Sequence, residues 1–322
     1  MKHYLGIDLG GTNIAVGVVN EDLAIVAKDS VPTGADREAD AIIADMADLC
    51  KKVLADAGLT MADIEYAGIA APGTANSETG VIEYANNLPF VNYPIADKLA
   101  SMAGIDTVYI ENDANAAALA EALAGVAKGA KHSVMITLGT GVGGGIILDG
   151  KVYCGFNHAG AELGHMVIKH RGRHCSCGRD GCWEAFSSAT GLIHMTKVKL
   201  ETCKEDGSAA IMEEVVKEAG KVSGKTAFVA MRKGCKAGAE VVDEYISYLA
   251  CGLANIINIF HPDILSIGGG ICNEGDNLLV PLKEKIWSQI DVDDDKRTKI
   301  VIAQLGNDAG IIGGAALGRQ YK

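Results

Sequence analysis

The sequence predicts a mixed α/β protein made of two related domains that face each other across a cleft. A strand, glycine-turn, strand unit occurs at residues 3–19 and again at residues 134–148, and apolar strands of this kind alternate with long helical stretches. With 322 residues, 48% of them hydrophobic, the chain is long enough to bury two cores.

His3 to Asp8 reads as a short strand because Tyr4, Leu5 and Ile7 are apolar; Gly10-Gly11-Thr12 stops it, and Ile14 to Val19 resumes. That is a hairpin. Its turn offers successive backbone N–H groups and a threonine hydroxyl, which suits a plain hairpin or an anion nest, and Asp8 ends the first strand facing the same region. Tyr66 to Ala71 is the next strand and runs into Pro72-Gly73; a later turn at Gly80 leads to Asn86-Asn87-Leu88. Val108 to Glu111 is a strand that runs through Asn112-Asp113 into an alanine-rich helix, Ala114 to Ala124. Asn112 or Asp113 can cap that helix. A carboxylate at the end of a strand can also take a proton from a hydroxyl nucleophile.

Val134 to Leu138, Gly139-Thr140-Gly141 and Val142 to Leu148 repeat the design of the first hairpin. A helical stretch from about Ala239 to Phe260 then leads to the strand Ile264 to Ile267 and a third glycine turn, Gly268-Gly269-Gly270. Three such turns can converge on one polyphosphate nucleotide. Tyr245, Leu249 and Leu253 on the helix pack either in the core or between subunits, and periodicity leaves both open.

Between the second and third turns lies G-H-x9-C-x-C-G-x-x-G-C-x-E, from Gly164 to Glu184. His165, Cys175, Cys177 and Cys182 make the complete ligand set of a closed tetrahedral Zn²⁺ site, and Gly178 and Gly181 let the loop turn tightly enough to converge them. The alternative is free thiols beside an unrelated histidine, which requires C-x-C-x4-C to fall there by chance. Nine cysteines without an even framework of spacings argue against disulfides. A site with four protein ligands is structural, since no position remains for water or substrate. Glu162 and Glu184 flank it, so the loop positions two carboxylates.

Charge narrows the partners. Twenty-nine Lys and Arg against 41 Asp and Glu give a net charge of −12, which disfavours nucleic acid and anionic membranes. No apolar run is long enough to span a bilayer, and the chain opens on a strand instead of a charged-then-apolar leader, so a cytoplasmic location is expected.

Five segments carry a resemblance. G-I-D-L-G-G-T-N at Gly6 to Asn13, E-N-D-A-N-A-A at Glu111 to Ala117, L-G-T-G-V-G-G-G at Leu138 to Gly145, A-E-L-G-H at Ala161 to His165 and the cysteine segment resemble the motifs of the ROK sugar kinases and repressors, especially the bacterial ATP-dependent glucokinases. The likeness runs from residue 4 to L-G-N-D-A-G-I-I-G-G-A-A at Leu305 to Ala316. The resemblance implies two ribonuclease-H-like domains of the hexokinase and actin-like ATPase superfamily around a central cleft. Residues 1–115 with 305–322 would form a small domain, and 116–304 a large one carrying the zinc-binding loop 165–184.

The implied activity is transfer of phosphoryl from ATP to the 6-hydroxyl of glucose. By the same resemblance Asp113 is the general base, and Gly73, Asn87, Asn112, Glu162, His165 and Glu184 contact the sugar, with His165 holding zinc through its other nitrogen. Asn86 and Asn87 both fit the family's asparagine; Asn87 is favoured because it directly precedes Leu88. Asp8, Gly10, Gly11, Thr12 and Asn13 match the phosphate and Mg²⁺ side, Thr140 and Gly141 the second phosphate turn, and Gly269 and Gly270 the nucleotide wall. The implied cofactors are ATP, Mg²⁺ and structural Zn²⁺, and the implied assembly is a homo-oligomer, dimer or tetramer. A kinase for another hexose or an N-acyl hexosamine (mannose, fructose, allose, N-acetylmannosamine or N-acetylglucosamine) is the main competitor, because pocket volume decides among sugars. A repressor of the family would need a DNA-binding extension before the first glycine turn. A non-catalytic scaffold would have no use for Asp113 and complete phosphate turns.

Overall fold

The computed structural model describes residues 2–203 and 207–321 and shows a mixed α/β chain. It opens with β1 (His3–Leu9), β2 (Asn13–Asn20), β3 (Ile25–Pro32), α1 (Ala39–Asp56), β4 (Ile64–Ala71), β5 (Thr74–Asn76), β6 (Val81–Tyr84) and β7 (Val91–Tyr93). Next come α2 (Ile95–Ala103), β8 (Val108–Asn112), α3 (Asp113–Ala124), β9 (Ser133–Leu138), β10 (Val142–Leu148) and β11 (Lys151–Val152). After the cysteine loop follow α4 (Glu184–Ser187), α5 (Ala189–Thr202), α6 (Ala210–Ala219), α7 (Thr226–Arg232) and α8 (Lys236–Phe260). The chain ends with β12 (Ile264–Gly268), α9 (Asp276–Trp287), β13 (Lys299–Ile302) and α10 (Ala309–Tyr321).

One five-stranded sheet has the order β3-β2-β1-β4-β8, the other β11-β10-β9-β12-β13. Each therefore reads third, second, first, fourth, fifth in its own sequence. In the first sheet β1, β2 and β3 are antiparallel neighbours, while β4 and β8 continue parallel to β1. The β1–β2 and β9–β10 turns occupy the same place in the two sheets. A small three-stranded sheet, β5-β6-β7, was not legible from the apolar pattern.

Two compact units result. The first comprises Met1–Met135, Gly145–Ala161 and Ala303–Lys322, the second Ile136–Gly144 and Glu162–Ile302. In the first, α10 lies with its backbone directly on β1 and β4. A Cβ at Gly6 would stand 1.8 Å from the Ile311 carbonyl oxygen, and one at Gly68 2.0 Å from that of Gly314. Only glycine allows this approach. On its other flank α10 meets α3, where a Cβ at Gly313 would stand 2.1 Å from the Ala116 carbonyl oxygen. The fully buried Leu5, Ile7, Val16, Ile42, Met46, Ile69 and Ile110 form the core between β-sheet and α1. The buried Glu121 carboxylate accepts from Gln304 and Leu305 N–H at 2.8 Å each and from Val126 N–H, also at 2.8 Å, so a fixed acid anchors the chain entering α10.

In the second unit α8 is the central helix, and Tyr245, Leu249 and Leu253 are all buried within it. Gly252 on α8 makes room for the Trp183 ring, which is fully buried and donates through Nε1 to the Tyr248 carbonyl at 3.0 Å. Trp183 sits between Cys182 and Glu184, so this one anchor fixes both. Among the described residues no helix is long and apolar enough to cross a membrane.

Candidate functional site

The candidate residues fall into two sets, one in each unit. In the first unit the β1–β2 turn is closed by Gly10 N–H donating to the Asn13 carbonyl at 3.0 Å. Thr33, at the end of β3, braces it twice: its hydroxyl donates to the Gly10 carbonyl at 2.6 Å and its N–H to the Thr12 carbonyl at 2.8 Å. Gly11, Thr12 and Asn13 are exposed. The side chain of Asn87 reaches the same turn, since its Cβ lies 3.8 Å from where a Cβ on Gly11 would stand. Asn86 points its amide oxygen to the Tyr84 hydroxyl instead, at 3.3 Å.

Asn112 and Asp113 divide the capping that the sequence left open between them. Asn112 is the N-cap of α3: its Oδ1 accepts from Ala114 and Asn115 N–H at 2.9 and 3.2 Å, and its Nδ2 donates to the Gly73 carbonyl at 3.1 Å. Gly73 takes a positive φ, and a Cβ there would stand 2.1 Å from the Tyr84 carbonyl oxygen. Asp113 is the first helical residue and is exposed, with Oδ1 accepting from Ala114 N–H at 2.8 Å. Beneath them Glu111 is buried and accepts from Asn112 N–H at 2.8 Å, from Asn115 Nδ2 at 3.0 Å and from the Tyr321 hydroxyl at 2.5 Å.

Asp8 is half-buried beside Gly310 at the start of α10, where a Cβ would meet its Cγ at 2.4 Å. Burial, and then the negative charge of Asp113, push its carboxyl from the usual 3.8 up to about 6. Two carboxylates thus share one region with too little positive charge between them.

In the second unit His165, Cys175, Cys177 and Cys182 come together, one ligand atom from each lying within 4.8 Å of all the others. His165 Nδ1 is 3.7 Å from Cys175 Sγ, and the sulfurs of Cys177 and Cys182 are 3.6 Å apart. A tetrahedral Zn²⁺ with Zn–S of about 2.3 Å separates its ligand atoms by about 3.8 Å, so the four residues fit that ion. The thiols do not ionise alike: burial and the neighbouring Cys177 and Cys175 push Cys182 up to about 12 and burial raises Cys175, while at Cys177 desolvation is outweighed by the Arg179 backbone and the two neighbouring thiols, which hold it below its usual range. A bound cation is what allows clustered thiolates to coexist.

Glu162 is exposed at the entrance to the short 3₁₀ turn Leu163–His165. Glu184 opens α4; its Oε2 accepts from Val142 N–H at 2.9 Å, and Cys175 Sγ donates to its Oε1 at 3.6 Å. The Gly139-Thr140-Gly141 turn is held from α5 by Ala189 N–H to the Gly139 carbonyl at 2.9 Å and by the Thr190 hydroxyl to the Thr140 carbonyl at 2.8 Å. Gly269, at a positive φ, packs on the Leu138 carbonyl, where a Cβ would stand at 2.2 Å; Gly270 has no protein atom within 4 Å of the corresponding point. Thr33, Thr190 and Glu111 escaped sequence reasoning because each acts through a partner distant in the chain, and a lone Thr or Glu carries no local signal.

The profile of the ROK family matches residues 4–321. The glucokinase of Halalkalibacterium halodurans is 35% identical over 322 residues, covering 100% of this chain and 96% of that protein. An N-acetyl-D-glucosamine kinase of Aliivibrio salmonicida is 30% identical over 327 residues, covering 98% and 99%. Among solved structures, a ROK family glucokinase of Streptomyces griseus in complex with glucose and AMPPNP matches with a TM-score of 0.81 at 32% identity over 99% of both chains.

Proposed function

The chain belongs to the ROK family as a sugar kinase of the actin-like ATPase fold, and on that premise we propose that it transfers the γ-phosphoryl group of ATP to the 6-hydroxyl of glucose. The observation that carries this reading is the end of β8, where Asn112 takes the capping and leaves the Asp113 carboxylate at the surface beside Asp8. An acid so placed can accept the hydroxyl proton, which contributes typically ~10²–10⁴-fold.

The remaining groups follow from what phosphoryl transfer needs, which is positioning and charge neutralisation more than covalent help. The β1–β2 turn and the Gly139–Gly141 turn offer backbone N–H groups to phosphate oxygens. Mg²⁺, when bound with ATP, supplies positive charge on the Asp8 side, and the raised carboxyl of Asp8 beside Asp113 is the kind of unbalanced charge such an ion relieves. Gly73 and Asn112 hold one end of the sugar together with Asn87, favoured over Asn86 because the Asn86 amide is already engaged by Tyr84. Glu162, His165 and Glu184 read the hydroxyls at the other end. The four-ligand cluster suits structural Zn²⁺, with His165 Nδ1 turned to the sulfurs and the other ring nitrogen left for a hydroxyl.

A kinase for an N-acyl hexosamine is the second reading, favoured by the likeness to an N-acetyl-D-glucosamine kinase. ATP consumption measured across glucose, mannose, fructose, allose, N-acetylglucosamine and N-acetylmannosamine separates the two. Glucose should give the highest kcat/KM, and 6-deoxyglucose should bind without turning over. A site that hydrogen-bonds a hydroxyl rejects an analogue lacking it by as much as ~10⁴–10⁵. Faster turnover of either N-acetyl sugar reassigns the substrate; no turnover with any sugar overturns the kinase reading.

A further inference from the structure

We infer that the metal loop sets the conformation of the Gly139–Val142 turn, acting through Glu184 and Gly164 on the Val142 peptide, and that Thr190 is a further positioning residue for this turn. Metal binding would then tighten the hold on nucleotide as well as on sugar; that consequence rests on the kinase reading above, while the coupling itself does not.

Val142 is the first residue after the turn, and both arms of the metal site close on it. One arm ends in Glu184, two residues past Cys182, whose Oε2 takes the Val142 N–H at 2.9 Å. The other carries Gly164, next to His165, where a Cβ would stand 2.1 Å from the Val142 carbonyl oxygen. Nothing larger than glycine lets that arm seat. A Cβ on Gly141 would in turn lie 2.3 Å from Glu184 Oε2, so the carboxylate rests directly against the turn.

When the four ligand atoms are held together, Cys182 is fixed before Glu184 and His165 after Gly164. The Trp183 anchor on α8 keeps the first arm from rotating. From the far side α5 secures the turn through Ala189 N–H and the Thr190 hydroxyl. A Gly-Thr-Gly segment has little stiffness of its own, because glycine backbones sample widely. A turn that binds phosphate through backbone N–H groups works only if those groups already point the right way. One carboxylate can also do two things here: ionised, it accepts at about four positions, so the bond from Val142 leaves room for a sugar hydroxyl.

The test uses the full-length protein loaded with Zn²⁺, without sugar or nucleotide. Amide hydrogen exchange should rise about tenfold or more across residues 139–142 when a zinc chelator removes the metal, while the 10–13 turn stays unchanged as the internal control. Thr190→Val, kept zinc-loaded, should raise exchange in the same segment and weaken AMPPNP binding by calorimetry about three- to tenfold, the loss of one hydrogen bond. Its zinc content and glucose affinity should not move. Unchanged exchange at 139–142 in both arms, or equal weakening of glucose and AMPPNP by Thr190→Val, overturns the inference. If chelation loosens the whole chain, the zinc-loaded Thr190→Val and Glu184→Ala variants decide by the same exchange readout: raised exchange at 139–142 with zinc retained supports the inference, and unchanged exchange overturns it. Should zinc-loaded wild type fail to bind AMPPNP at all, the kinase reading falls and the exchange arm alone judges the coupling.

Discussion

Replacing Asp8 by asparagine should stabilise the ligand-free protein at neutral pH while abolishing its use. Asp8 is half-buried against Gly310, and burial, then the Asp113 charge, raise its carboxyl from 3.8 to about 6. A rise of that size corresponds to about 3 kcal/mol between the protonated and ionised forms. Partial exposure lets water and salt screen the charge, so about 1–2 kcal/mol is the expected gain from removing it. The sign is fixed by linkage: a folded-state value above the unfolded one means the contribution of the neutral acid is fully present below about pH 3.8 and lost as pH rises through about 6. Wild type should therefore trail Asp8→Asn at pH 7.5 and draw level near pH 4.

Urea unfolding, followed by fluorescence at both pH values without added Mg²⁺ or nucleotide, reads the difference as a shift in midpoint. Adding Mg²⁺ and ATP should narrow the gap at pH 7.5 from the wild-type side, because an ion that relieves Asp8 stabilises only the chain that carries it. A variant no more stable than wild type at pH 7.5, or a gain that persists unchanged at pH 4, would refute the electrostatic argument. Full activity in the variant would remove Asp8 from the phosphate and metal side.

Three further perturbations test other parts of the site and fold. Asp113→Asn should lower kcat by ~10²–10⁴ while glucose affinity by calorimetry stays within a few-fold; wild-type turnover would make Asp113 a helix residue and nothing more. Cys177→Ala should bring zinc by elemental analysis from one per chain towards zero, and a protein fully active without metal would remove zinc from the account. Gly68→Ala puts a Cβ 2.0 Å from the Gly314 carbonyl, so α10 must leave the sheet; overpacking of about 1–3 kcal/mol or more should appear as a clear drop in Tm, and an unchanged Tm would contradict the packing.

What the sequence made legible was whatever is written locally. The turn at Gly10-Gly11-Thr12, the strand from Val108 to Glu111, which the structure extends by one residue, and the helix through Tyr245, Leu249 and Leu253 could be read from apolar runs and glycine breaks, because period and punctuation act within a few residues. The cluster of His165, Cys175, Cys177 and Cys182, whose ligand atoms do come together, could be read from spacing alone. The division of capping between Asn112 and Asp113 could not, since both residue types suit either position. Nor could the hold of Thr33 on Gly10, of Glu121 on Gln304 and Leu305, or of Glu184 on Val142, each of which joins segments brought together only by the sheets. The short strands β5, β6 and β7 were hidden for a related reason: three or four residues are too few for an alternating pattern to declare itself.

Glycine shows how far a residue type must be placed before it can be interpreted. Gly6, Gly68, Gly164 and Gly313 each face a backbone oxygen that a Cβ would strike at 1.8 to 2.1 Å, so the reason for glycine there lies inside the protein. Gly139 and Gly270 have no such neighbour within 4 Å, and at Gly11 the nearest is 3.8 Å away; none of the three takes a positive φ. The fold itself would accept alanine at those three positions. An absent side chain that neither packing nor conformation demands leaves a bare backbone facing open space, which is the surface a phosphate needs for close approach to N–H groups. The structure separates glycines that packing demands from those it does not, and the second group falls on the three turns from which nucleotide binding is expected.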